Sequence, residues 1–173
     1  MPRRFSGPTL VLASHNPKKL AELRAMMAAS GVDVRSAAEL GLIEPEEPAP
    51  DFAGNARIKA LAAATASGLP SLADDSGLVV DGLAGAPGVH SARWAGPDKD
   101  FNHAMRRVID GLATRFGSFA AADKRAAFVT VICLAWPDGD VVCVEGRVDG
   151  ELVETPRGDG GFGGPSDGAP VPH

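Results

Sequence analysis

Apolar residues cluster in this chain at two spacings, and the spacings divide it into strands and helices. Thr9-Leu10-Val11-Leu12-Ala13 is a short continuous apolar run that reads as a buried strand. Polar Ser14-His15-Asn16-Pro17-Lys18-Lys19 follows, and then leucine, alanine and methionine recur at helical spacing as far as Met27. Asn16 before Pro17 suits a helix N-cap with proline in the first turn, and Gly31 supplies the stop. Val32–Arg35 predicts a short second strand. The proline- and glutamate-rich stretch 44–51 then predicts a long irregular loop. An alanine-rich helix is expected from Asn55 to Ser67, ending at Gly68. Pro70–Ala73 reads as a strand that ends at the acidic pair Asp74-Asp75, with residues 77–81 continuing in an extended manner. Residues 85–96 read as a glycine-punctuated loop, and Asp100 caps a helix running to about Phe116. Two β-rich runs, Arg125–Trp136 and Val141–Arg147, surround Asp138-Gly139 and give the best hairpin signal in the chain.

The alternation of strands and helices places the chain in the α/β class, and 173 residues fit one domain, assigned to residues 1–163. Residues 164–173 are nearly all glycine, proline, serine, aspartate and alanine, and are expected to form a poorly ordered tail. A net charge of −5 without a basic patch argues against a bulk nucleic-acid binder. The N-terminal apolar stretch, broken by Gly7 and Pro8, resembles neither a signal peptide nor a membrane span, so a cytoplasmic protein without membrane contact is expected. The two cysteines, Cys133 and Cys143, flank the hairpin turn and could lie near one another. Without a signal peptide, they read as small buried hydrophobes rather than as a disulfide.

Three polar groupings carry candidate chemistry. Ser14, Asn16 and Lys19, at a helix start directly behind a strand, bring hydroxyl, amide and ammonium groups to the free N–H groups of a helix N-terminus, which is the make-up of an anion site. It has neither the glycine pattern of a Walker loop nor that of a dinucleotide fold. Glu46, Glu47, Asp74 and Asp75 form an acidic set. Adjacent carboxylates repel unless a proton or cation relieves them, and hard oxygen donors beside phosphate are what Mg2+ prefers. Asn55 and Lys59 fall at i and i+4 on one helix face, a spacing that a solvated polar stripe has as well and that this reading slightly favours. His90 and Arg93, in the glycine loop, read as structural.

Five segments in register, Ser14–Lys19, Phe52–Ala60, Ala73–Leu78, Gly85–Gly96 and Arg157–Gly163, resemble the inosine/xanthosine triphosphate pyrophosphatase family. The resemblance implies an elongated mixed β-sheet with flanking helices forming two lobes around a cleft, a homodimer, and Mg2+-dependent conversion of ITP, dITP or XTP to the monophosphate and pyrophosphate. Carried over residue by residue, Ser14, His15, Asn16, Pro17, Lys18 and Lys19 match the triphosphate loop, with Lys19 on phosphate oxygens. Asn55 and Lys59 join the substrate-binding set. Asp75 matches the proton acceptor and metal ligand, Ser76 a substrate contact, and Glu46 or Glu47 a second metal-side carboxylate. Phe162, followed by Gly163, matches the residue that packs on the purine. After Gly163 the sequence departs from the family pattern, so the family's C-terminal segment is expected to be lacking. The alternative to a working hydrolase is a chain that binds nucleotide weakly without turning it over.

Overall fold

The computed structural model describes residues 3–154 and 171–172. Six strands are hydrogen-bonded in the order β2-β1-β3-β4-β5-β6. They are β1 (Thr9–Leu12), β2 (Asp33–Ser36), β3 (Ser71–Val80), β4 (Arg125–Ala135), β5 (Val141–Glu151) and β6 (Val171–Pro172). Strand β1 is parallel to both β2 and β3, whereas β6 is antiparallel to β5, so the sheet is mixed as expected. The α-helices among the described residues are α1 (Pro17–Met27), α2 (Phe52–Ser67), α3 (Ser91–Ala95) and α4 (Phe101–Phe116). The chain divides into two compact units. Of the described residues, one comprises those up to Asp75 together with Val131–Glu145, and the other comprises Ser76–Thr130 and those from Gly146 on.

The first unit is built on the short parallel strands. Val11 is fully buried and Leu10 and Leu12 nearly so, because a parallel strand flanked by neighbours buries both faces. Helix α2 packs with small residues: Ala56, Ala60 and Ala64, at i+4 spacing, have no exposed surface, and Ala63 is buried beside them. Asp51, four residues ahead of the expected helix start, is its N-cap, accepting the Gly54 N–H at 2.6 Å. Gly68, at φ +71°, closes the helix by donating its N–H to the Ala64 carbonyl.

Two expectations are corrected in this unit. The acidic pair does not end a strand: Asp74 and Asp75 lie in the middle of the ten-residue β3. What ends there is β1, whose pairing with β3 runs only through Val11 opposite Ser71 and Leu12 opposite Leu72. The aspartates therefore occupy the second and third positions of β3 beyond its last residue paired with the parallel β1. Cys133 and Cys143, expected as free buried thiols, are joined in a disulfide. The turn at Trp136–Gly139 and the bond from the Trp136 N–H to the Asp140 carbonyl set a register that puts 133 opposite 143, with Cα atoms 4.1 Å apart.

The second unit has its own core of Leu78, Val80, Val108, Leu112, Phe119 and Leu152, with Met105 and the partly buried Trp94 against it. Its helix α4 is strongly amphipathic in sequence and is capped by Asp100, which accepts the N–H groups of Asn102 and His103. The segment read as a glycine loop carries a short 3-10 turn, Gly88–His90, and then α3, so His90 and Arg93 sit on local helical structure. Within the segment expected to be an irregular tail, Val171–Pro172 pairs with Gly150 and Glu151 of β5.

Candidate active site

The loop between β1 and α1 is shaped by its own side chains. The Ser14 hydroxyl accepts the Asn16 N–H at 3.0 Å, and Asn16 caps the helix by accepting the Lys18 N–H at 2.9 Å. Pro17 stands in the first turn, where its missing N–H costs no helical bond. His15, Asn16, Lys18 and Lys19 are all exposed. The residues read as an anion loop thus gather at a helix N-terminus, with 15–19 open to solvent, Ser14 partly exposed and Lys19 on the first turn.

Lys19 does not point away from the sheet. Its ammonium donates to both oxygens of Asp74, each at 3.0 Å. The neighbouring Asp75 is served by a different helix: Lys59 of α2 lies 4.0 Å from the Asp75 carboxylate and 2.8 Å from that of Glu47. Successive strand residues face opposite sides of a sheet, so two adjacent aspartates meet two lysines from two helices. The repulsion between the carboxylates, expected to need a cation between them, is relieved by one lysine on each.

The Asp75 side of this arrangement is sheltered. The side chains of Asp75 and Lys59 are only 13% and 14% exposed, against 39% for Glu47. The solvated stripe favoured for Asn55 and Lys59 is thus not what forms; Asn55 itself is 1% exposed. Burial pushes the Asp75 carboxyl above the usual carboxylate range. Lys59 and the Asn55 amide act against the rise, and the carboxylates of Glu47 and Asp74 add to it. One Asp75 oxygen, Oδ2, is buried without a hydrogen-bond partner. An orphaned buried carboxylate oxygen costs stability unless something else fills its coordination, and that is the condition expected of a group built to meet a water, a cation or a substrate.

The donor set fits a hard divalent cation. Among the described residues no three His, Cys, Asp or Glu side chains cluster as a closed metal cage. Mg2+ does not need one, since it takes one or two carboxylates and completes its shell with water and substrate phosphates. Asp75 and Glu47 are the two carboxylates gathered around Lys59. Of the expected metal-side residues, Glu47 rather than Glu46 makes that contact, and Asp74 is engaged by Lys19. Ser76 belongs to the second unit, where its hydroxyl shares a 2.9 Å hydrogen bond with Thr130. Phe162 and Gly163 lie outside the described residues. Asp51 and Gly54, which seat the glutamate loop on α2, were not among the expected site residues. The pattern Asp-x-x-Gly ahead of a helical run was the available signal.

Residues 10–164 match the model of the Ham1 family. The chain belongs to the Ham1 family. Over 163 residues it is 56% identical to a dITP/XTP pyrophosphatase of Bradyrhizobium diazoefficiens, covering 94% of this chain and 76% of that protein. A dITP/XTP pyrophosphatase of Rhodospirillum centenum is 58% identical over 165 residues, with 94% and 78% covered. In three dimensions the chain superimposes on a HAM1 protein from Coxiella burnetii with a TM-score of 0.84 at 34% identity, covering 95% of this chain and 81% of that one. A nucleoside-triphosphatase, dITP/XTP pyrophosphatase, from Mycobacterium abscessus gives 0.79 at 38% identity, covering 95% and 83%. These Ham1 relatives carry the same α/β architecture.

Proposed function

We propose that this Ham1-family chain hydrolyses dITP, ITP and XTP to the nucleoside monophosphate and pyrophosphate. The observation that carries the reading is the sheltered Asp75, whose buried Oδ2 has no hydrogen-bond partner, with Lys59 beside it and the Lys19–Asp74 pair on the neighbouring strand position. It agrees with the activity named for the bacterial relatives.

The geometry supports a role for each group. The triphosphate enters over the N-terminus of α1, where free N–H groups and the positive end of the helix dipole favour anions. Lys19 exchanges one anionic partner for another, leaving Asp74 for phosphate oxygens. Lys59 supplies a second ammonium from the other side of β3. Asp75, its basicity raised by burial, orients the attacking water and takes its proton as the water adds at the α-phosphorus and the pyrophosphate departs. Asp75 and Glu47 would hold Mg2+, which supplies charge neutralisation on the pyrophosphate leaving group. Phe162 and Gly163 are assigned to the purine, and Ser76 to the substrate. No helix among the described residues is long and apolar enough to cross a membrane. A homodimer acting on the cytoplasmic nucleotide pool completes the proposal.

The test is release of pyrophosphate from dITP, XTP and ATP, with Mg2+ and with EDTA. We expect rapid release from dITP and XTP, little from ATP, and none in EDTA. Nucleotide binding without turnover, or release of orthophosphate in place of pyrophosphate, would overturn the assignment.

A further inference from the structure

We infer that Asn55 is a positioning residue which, with Gly54, clamps the glutamate-bearing loop to helix α2 and so holds the Glu47 carboxylate at its place beside Lys59 and Asp75. The inference rests on the proposed reading of Asp75 and Glu47 as the cation-holding pair, but the clamp itself is a matter of geometry.

The loop has an unusual backbone at the point of contact. Ala49 lies between Pro48 and Pro50, so within Pro48-Ala49-Pro50 the only peptide N–H is that of Ala49. The Asn55 carboxamide takes it: Oδ1 accepts the Ala49 N–H at 2.9 Å, and Nδ2 donates to the Ala49 carbonyl at 3.2 Å. One side chain thereby satisfies both backbone groups of one residue, as a neighbouring strand would. The helix surface is cut away to let the loop come this close. A Cβ at Gly54 would lie 2.6 Å from the Ala49 Cβ and 2.7 Å from Asp51 Oδ1, so no larger residue fits without moving the loop. Asp51 adds its cap bond to the Gly54 N–H.

Stiffness carries this fixed point to the site. Each proline fixes its own φ and restricts the residue before it to extended conformations, so Glu47, ahead of Pro48, and Ala49, ahead of Pro50, form a semi-rigid rod. Pinning Ala49 therefore orients Glu47 two residues away, and Glu47 meets Lys59 at 2.8 Å. Asn55 and Lys59 are one helical turn apart on α2, so the anchor of the loop and the partner of its glutamate move as one body. An asparagine with 1% exposure in an alanine-lined helix face needs a polar reason to be there, and its two bonds to Ala49 supply one beside its amide's contact with Asp75.

The test uses the full chain, with Asn55→Ala and Gly54→Ala as separate variants. Hydrogen exchange is read at the Ala49 amide, and Mg2+ binding is measured by titration calorimetry without nucleotide. We expect the Ala49 amide to be protected in the parent and to lose protection in Asn55→Ala, while amides in the C-terminal half of α2 stay protected. Mg2+ affinity should fall about 10- to 100-fold, the range seen when the supporting shell of a metal ligand is removed. On a Glu47→Gln background, Asn55→Ala should cost less affinity than it does in the parent, because the part of its effect that runs through Glu47 is already lost and only its amide's contact with Asp75 remains to be removed. If Asn55→Ala does not fold, Gly54→Ala carries the same readouts, and its Mg2+ affinity should fall likewise. Fast exchange at Ala49 in the parent, unchanged Mg2+ affinity in a folded variant, or additive losses with Glu47→Gln would each overturn the clamp. Were the parent inactive on dITP while protection and Mg2+ affinity still fell together, the proposed reaction would fail and the clamp would stand.

Discussion

Replacing Asp75 by asparagine separates the chemistry of this site from its fold. The side chain keeps its shape and loses its charge, and its nearest cation is not orphaned, because Lys59 retains Glu47 at 2.8 Å. The carboxylate it replaces is held above its ordinary pKa chiefly by burial, so with metal removed its ionised form at neutral pH is a burden on the folded state. In EDTA at pH 7, Asp75→Asn should therefore melt no lower than the parent. Turnover should fall by about 10²- to 10⁴-fold, the usual contribution of a positioned general base. Metal linkage supplies a second, independent number. At Mg2+ ten times its dissociation constant, the parent should gain RT ln 11, about 1.4 kcal/mol. For a chain of this length that is a rise of roughly 3–6 °C in melting temperature. Asp75→Asn should show almost none of that rise. The assay is a thermal melt with EDTA and with Mg2+, beside pyrophosphate release from dITP. A variant that retained most of its turnover, or that gained as much from Mg2+ as the parent does, would refute the assignment of Asp75 as base and cation holder.

Lys19→Met should cost little stability, since the Lys19–Asp74 pair is 44% and 23% exposed and such pairs contribute about 0.2–1 kcal/mol. It should raise KM for dITP by about tenfold or more, and equal KM values in parent and variant would show that Lys19 does not meet the triphosphate. The Cys133–Cys143 bridge closes a ten-residue separation, which in the chain-entropy model is worth at most about 3 kcal/mol. Dithiothreitol or Cys143→Ser should lower the melting temperature by several degrees, and two free thiols titrated in the unreduced protein would show that the bridge is not formed.

What the sequence disclosed and what it hid divide along the distance over which each feature is decided. The N-terminus of α1 was legible because cap, proline and closing glycine act within a few residues of one another, and Asn16, Pro17 and Gly31 stand where expected. The hairpin was legible for the same reason, its register following from the turn at Asp138-Gly139. Yet the disulfide that this register creates runs against the expectation of buried free thiols, which gives too little weight to the symmetry of 133 and 143 about that turn. The acidic pair is recognised but placed at a strand end although residues 77–81 read as extended, since nothing local to Leu72–Ser76 reveals that one strand runs through the pair after its neighbour β1 has stopped. Asn55 was hardest to read. Helix α2 carries alanines on its exposed side, Ala53 and Ala66, as well as on its buried one, so its pattern has no strong polar side from which to tell a solvated amide from a buried one. The proline-flanked backbone of Ala49, six residues upstream and meaningless without the fold, shows why an amide belongs there. The chemistry of this site is thus written in single residues such as Asp75, Lys19 and Lys59, whereas its alignment depends on contacts that only the folded loop creates. A resemblance carried by motifs alone therefore finds the reacting groups before it finds what holds them in place.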